Sequence, residues 1–203
     1  MKIISIILLV AAPACAWELP AVNVAAIRAM PAEMPAVSAP ARPAAERNSQ
    51  SVYMNVTASP YSKEASANDW NSRIQTTVRA TGTSRFDVKV QTEQAFDWAS
   101  INKNGNYYSL FSSAFSLNMN GSNGSYFING NVYDNGKSSF VSTNVSCNKD
   151  NSYCTVFGGG LSITASAMTL NGWYDENQYS KKAVAGVASM LMALRVEGMQ
   201  QPK

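Results

Sequence analysis

Residues 126–156, "YFINGNVYDNGKSSFVSTNVSCNKDNSYCTV", decide the fold. Asn135-Gly136 accepts the positive φ of a two-residue type I′ turn, so Asp134 faces Lys137 and the flanking runs become a hairpin. That register sets Val132 opposite Ser139, Gly130 opposite Val141, Ile128 opposite Thr143 and Tyr126 opposite Val145. Downstream, a four-residue loop over 149–152 sets Cys147 opposite Cys154 and Val145 opposite Val156. Upstream, a turn at Gly121-Ser122 sets Leu117 opposite Tyr126, Phe115 opposite Ile128 and Phe111 opposite Val132.

All three turns put the same residues on one face: Phe111, Phe115, Leu117, Tyr126, Ile128, Val132, Val141, Val145, Cys147, Cys154 and Val156. A slip of one residue at any turn would send half of them to the other side. Four strands in a meander follow, with Cys147 and Cys154 joined as a staple in the core face. The opposite face carries Tyr108, Phe127, Tyr133, Phe140, Tyr153 and Phe157 among serines and asparagines. Flat rings set among amides and hydroxyls suit a sugar or another small amphipathic ligand, or else a second layer of core. Those six aromatics are the candidate binding residues.

Period-two alternation continues on both sides. Val52, Met54 and Val56 share a face; so do Ile74, Thr76, Val78 and Ala80; so do Phe86, Val88 and Val90. In "LSITASAMTL", residues 161–170, the phase shifts after Ala167, which predicts a bulge. The glycines at 158–160 form a corner; they lack the Lys-Ser/Thr and the following helix of a phosphate loop. Ser180 reads as an N-cap and Gly198 as a C-terminal stop, with no charge from Ala183 to Leu194, so a helix over 180–198 packs on the sheet. The expected fold is all-β: an antiparallel meander of about eight strands in a barrel or strongly curved sheet, with one C-terminal helix packed on it. A β-sandwich is the alternative. A closed barrel could hold one small apolar ligand inside.

The N-terminal third is different. "MKIISIILLVAAPACA" has one lysine, an apolar run and a small-residue ending, as in a signal peptide cleaved after Ala16. The rival reading, a lipidated Cys15, wants a leucine where Ala12 stands. The apolar run is too short to span a bilayer. Residues 17–50 hold five of the eight prolines and ten alanines, which predicts a disordered tether. Residues 51–203 then form a single β-rich domain.

Cleavage would remove Lys2 and no acid, taking the formal charge from +3 to +2. That charge, without a basic cluster, gives no footprint for nucleic acid. No segment suits a transmembrane span. The outward positions of the strands are not consistently apolar, which argues against an outer-membrane barrel.

The chain has no histidine, which removes the Ser-His-Asp triad, a Cys-His pair and every His-based metal site. No cofactor motif, metal site or catalytic residue is assigned. Asp87, Glu93 and Asp97 read as solvated turn acids rather than as a glycosidase pair. The sequons at Asn55, Asn120, Asn123 and Asn144 would matter only in a eukaryotic secretory route. These features favour an exported, non-enzymatic protein in the periplasm, at the bacterial surface or outside the cell, binding a small amphipathic ligand, a glycan or a surface partner. The alternative is a structural component that docks another envelope protein through the tether or the aromatic face.

Overall fold

The computed structural model describes residues 48–93 and 95–200. The signal peptide and nearly all of the tether lie outside them. Strand β1 is Ser49–Ser59, so it begins two residues inside the segment assigned to the tether. The strands that follow are β2 Glu64–Asp69, β3 Ile74–Ala80, β4 Arg85–Gln91, β5 Phe96–Asn104 and β6 Tyr107–Phe111. Then come β7 Phe115–Ser122, β8 Ser125–Asp134, β9 Lys137–Cys147, β10 Cys154–Gly158, β11 Leu161–Ala165 and β12 Thr169–Asp175. One helix, α1, spans Lys181–Gln200. Each strand pairs antiparallel with the next, and β1 pairs with β12 to close a barrel.

The barrel therefore has twelve strands, not about eight. Four separations account for the difference. Strands β2 and β5 were not recognised; 107–122 is two strands, and so is the stretch that begins at Leu161. Hydroxyl groups make the two missed turns. Ser112 Oγ accepts from the backbone N–H of Ala114 (3.1 Å) and Phe115 (3.2 Å), ending β6 and starting β7. Ser166 Oγ does the same for Thr169 N–H (3.1 Å), so a hairpin turn stands where a bulge was expected. Such Ser turns carry weaker sequence signals than Gly or Pro. Met168 lies exposed on that turn.

The β8–β9 and β9–β10 registers are those read from the turns. Asn135 and Gly136 have φ of 49° and 78°. A disulfide joins Cys147 to Cys154 across the ladder. Serine at both positions is expected to cost about 2.5 kcal/mol by the loop-entropy account, seen as a lower urea midpoint. An unchanged midpoint would show that the hairpin closes this loop without the bond. The β7–β8 turn needs correction: it lies at Asn123-Gly124, with φ of 54° and 80°, and it pairs Leu117 with Gly130 and Phe115 with Val132. That slip is even, so inward residues stay inward. Phe111 does not, because the β6–β7 turn resets the alternation, and it is exposed.

Inward positions are mostly apolar, from Val52 and Met54 on β1 to Leu170 and Tyr174 on β12, with Asp69, Thr76 and Thr143 as buried polar exceptions. Twelve strands enclose more space than their own side chains fill. The helix fills it. Every residue from Lys182 to Leu194 is buried, on all sides of the helix, and α1 touches β2, β3 and β4 as well as β6, β7 and β8. It thus runs through the lumen and is not packed on the outside of the sheet. Small residues make the fit possible. A Cβ on Gly186 would lie 2.9 Å from Leu117 Cδ1 and 3.1 Å from the Phe115 ring. Inside, Ser189 Oγ donates to the Ala185 carbonyl (2.8 Å), so the hydroxyl of Thr76 is the donor in their 2.5 Å hydrogen bond.

Ser180 caps the helix, accepting from Ala183 N–H at 3.2 Å. Gly198 does not end it. The helix continues to Gln200, and Gly198 is small because a Cβ there would meet the Asp150 carbonyl oxygen at 2.5 Å. Among the described residues no helix is long and apolar enough to cross a membrane. The wall is largely apolar inside, while its outer face mixes polar side chains with exposed aromatics such as Trp98, Phe111 and Phe140.

Candidate functional site

With α1 in the lumen, the interior cannot serve as the ligand cavity considered from sequence. What remains is the outer wall and the two rims.

The outer wall is divided by charge. On β2–β5 the outward side chains include Glu64, Arg79, Arg85, Asp87 and Lys89. From β7 through β11 they are Ser, Thr, Asn, Phe and Tyr, with no charge between the rims. Strand β7 offers Ser116, Asn118, Asn120 and Ser122; β9 offers Phe140, Ser142, Asn144 and Ser146. Strands β6, β12 and β1 extend this wall on both sides; their one outward charge is Asp175 at the end of β12, whose carboxylate accepts from Asn177 N–H and Gln178 Nε2.

Cross-strand register brings aromatics on this wall into one row. Tyr107 on β6 faces Asn120 on β7, which faces Phe127 on β8, which faces Asn144 on β9. Asn144 faces Phe157 on β10, Phe157 faces Ser162 on β11, Ser162 faces Trp173 on β12, and Trp173 faces Ser51 on β1. Paired residues of an antiparallel ladder point to the same side. A ring therefore stands on every second strand, with an amide or hydroxyl on each strand between. Neighbouring rings are rooted about 10 Å apart, twice the strand spacing. All four are 40–51% exposed, so their faces are open to a ligand. Tyr107 Oη donates to Asn118 Oδ1 at 2.6 Å, which orients that ring.

Of the six aromatics named from sequence, Phe127 and Phe157 lie in this row. Tyr133 and Phe140 are exposed nearby, where β8 and β9 turn. Tyr153 is exposed in the β9–β10 loop, tied to Asn148 Oδ1 through its backbone N–H (3.0 Å). Tyr108 is misassigned. It is buried and points inward, because the turn after Phe111 inverts the phase on which its assignment rested. Tyr107 takes its place on the outer face. Trp173 was missed with its strand; the alternation "TLNGWY", with Leu170 and Tyr174 inward, was the available signal.

Tyr108 belongs to the rim where α1 ends. Its hydroxyl donates to Glu197 Oε2, Lys103 Nζ bonds Glu197 Oε1, and Lys103 lies 5.7 Å from the Tyr108 ring centroid. Burial, then the Glu197 carboxylate, holds the Tyr108 phenol far above its ordinary range, so it stays a proton donor. Burial and the same carboxylate raise Tyr126. A polar cleft of about 430 Å³ opens there, lined in part by Tyr108, Tyr126, Asn151 and Glu197. The cluster ties the end of the helix to β5 and β6.

At the other rim the acids are likewise engaged. Lys182 lies 3.1 Å from Asp97 Oδ2 and 3.5 Å from Asp134 Oδ1. Glu93 pairs with Arg73 and Lys181, and Asp87 with Arg85. Asp87, Glu93 and Asp97 thus serve three separate ion-pair sets and converge on no common point. No protein-family model, curated protein sequence or solved structure matches this chain.

Proposed function

We propose that the protein is an exported, non-enzymatic glycan-binding barrel of the bacterial envelope or exterior that holds neutral polysaccharide on its outer wall. One observation carries this reading: the row Tyr107, Phe127, Phe157 and Trp173, interleaved with Asn120, Asn144, Ser162 and Ser51 on a wall free of charge between the rims. A sugar ring has a C–H face that stacks on an aromatic plane and hydroxyls that pair with amides and hydroxyls. Both kinds of partner recur here in strict alternation. The lack of fixed charge favours an uncharged polymer over nucleic acid or an anionic lipid surface. An exposed, uncharged aromatic wall is costly to leave idle, since such patches mark interaction surfaces.

Depletion onto insoluble cellulose and chitin, with anionic pectin as control, tests the reading. Binding to at least one neutral polymer and little to pectin is the expected result. Phe157→Ala should weaken it about tenfold, the effect of losing an anchor worth about 1.4 kcal/mol. Equal binding by Phe157→Ala, or none by the parent protein, sinks the reading.

A second patch favours the protein-docking alternative. Phe96, Trp98 and Phe111 are 48–66% exposed beside the charged wall, and Lys89 Nζ lies 4.9 Å over the Phe96 ring. Aromatics edged by charge are typical of protein interface anchors. Trp98→Ala should leave glycan depletion unchanged, which separates the two surfaces.

A further inference from the structure

Resting on the glycan reading, we infer that each barrel holds two glycan chains at once and so bridges neighbouring strands of a polysaccharide mesh. The reason is curvature. Tyr107 on β6 and Trp173 on β12 stand six strands apart in a closed barrel of twelve. With upright strands their outward directions would oppose one another. The usual strand tilt turns part of that step into axial climb and leaves roughly 90–120° between them.

A stiff β-linked glycan is straight over a few sugar units, so it meets a curved wall as a tangent. It can stack on two neighbouring rings, about 10 Å apart at their roots, and then leaves the surface. The row has three neighbouring pairs of rings, of which the two outer ones share no ring and can be filled at once, giving two seats. Tyr107 and Phe127 form one, with Asn120 between them. Phe157 and Trp173 form the other, with Ser162 between them. Asn144 on β9 lies within the middle pair, Phe127 and Phe157, which would take one ring from each outer seat and is left unused when both are filled. Neither seat carries a charge, which matches a neutral polymer at both positions and gives two bound chains no cause to repel one another.

Titration calorimetry of the full chain with cellohexaose and chitohexaose provides the test, together with light scattering in dilute hydroxyethyl cellulose and glycol chitin. Two hexasaccharides per barrel are expected for whichever sugar binds. Tyr107→Ala and Trp173→Ala should each leave one; their double variant keeps Phe127 and Phe157 about Asn144 and should also leave one, whereas Phe127→Ala with Phe157→Ala, which breaks every neighbouring pair, should leave none. Trp173→Phe should restore the second site, which guards against misfolding as the cause. Scattering should rise for the parent protein and stay flat for either alanine variant. One hexasaccharide per barrel, or polymer depletion without hexasaccharide binding, would overturn the bridging and leave the glycan reading standing. No binding of any hexasaccharide or polymer would overturn both.

Discussion

A chain ended after Ser180 is expected to lose the closed barrel. The helix it lacks supplies an unbroken buried run from Lys182 to Leu194, packed against inward residues such as Phe115 and Leu117. Without it a lumen lined by Ile74, Val78, Phe115, Leu117 and Met119 would stand open or flood. Burying a single leucine or valine side chain is worth about 1.5–3 kcal/mol. Removing Val184, Val187, Leu191, Leu194 and Val196 together forfeits about 7.5–15 kcal/mol, as much as the roughly 5–15 kcal/mol that holds a domain folded. The helix is thus the core itself, and the barrel is a wall built around it. Far-UV circular dichroism with a thermal melt decides the matter. The truncated chain should show no cooperative transition. A cooperative melt within a few degrees of the full chain would mean that the twelve strands close on their own.

Lys182→Met should produce the largest loss from a single side chain. Only 6% of the lysine side chain is exposed, and the two carboxylates it joins, Asp97 and Asp134, are 18% and 22% exposed. Methionine keeps the length of the stem but leaves two half-enclosed carboxylates with no cation between them. Breaking a buried pair from one side costs about 3 kcal/mol or more, mostly as the penalty on the charge left behind. Urea denaturation reads this as a lower midpoint. Adding Asp97→Asn and Asp134→Asn should recover much of it, because the stranded charges go with the change. If the triple variant were no better than Lys182→Met alone, the loss would belong to packing of the lysine stem. The two acids also lie beside the first turn of α1, where negative charge is favoured by the helix dipole. The triad therefore fixes where the helix enters the barrel as well as how firmly.

Readings that rested on turn chemistry and alternation survived in three dimensions where the turn was strong. Asn135-Gly136 set the β8–β9 ladder residue for residue, and Cys147 and Cys154 met where the loop length placed them. They failed at β7–β8, where Gly121-Ser122 was read in place of the Asn123-Gly124 pair that makes the turn, and again where a serine hydroxyl made the turn. The Ser112 turn hid a strand boundary, and one missed boundary moved Phe111 outward and Tyr108 inward. Strand β2 escaped notice because its inward positions are small, Ala65 and Ala67, so its alternation has little apolar contrast. Half of the aromatic row was legible: Phe127 and Phe157 were assigned to the outer face. That they align with Tyr107 and Trp173 was not legible, because alignment runs across strands rather than along them.

The sequence by itself determined what is local. It set the period-two alternation, the core face of each recognised strand, the central hairpin register, the cap at Ser180 and a helix without charge from Ala183 to Leu194. The tertiary structure decided the number of strands, the closure of β1 on β12 and the placement of α1 inside. Closure pairs residues as distant as Val52 and Gly172, which no local pattern encodes. The helix had a known surface but no known destination. An all-apolar helix can pack on a sheet or be wrapped by one, and only the width of a twelve-stranded lumen, too large for strand side chains to fill, selects the second.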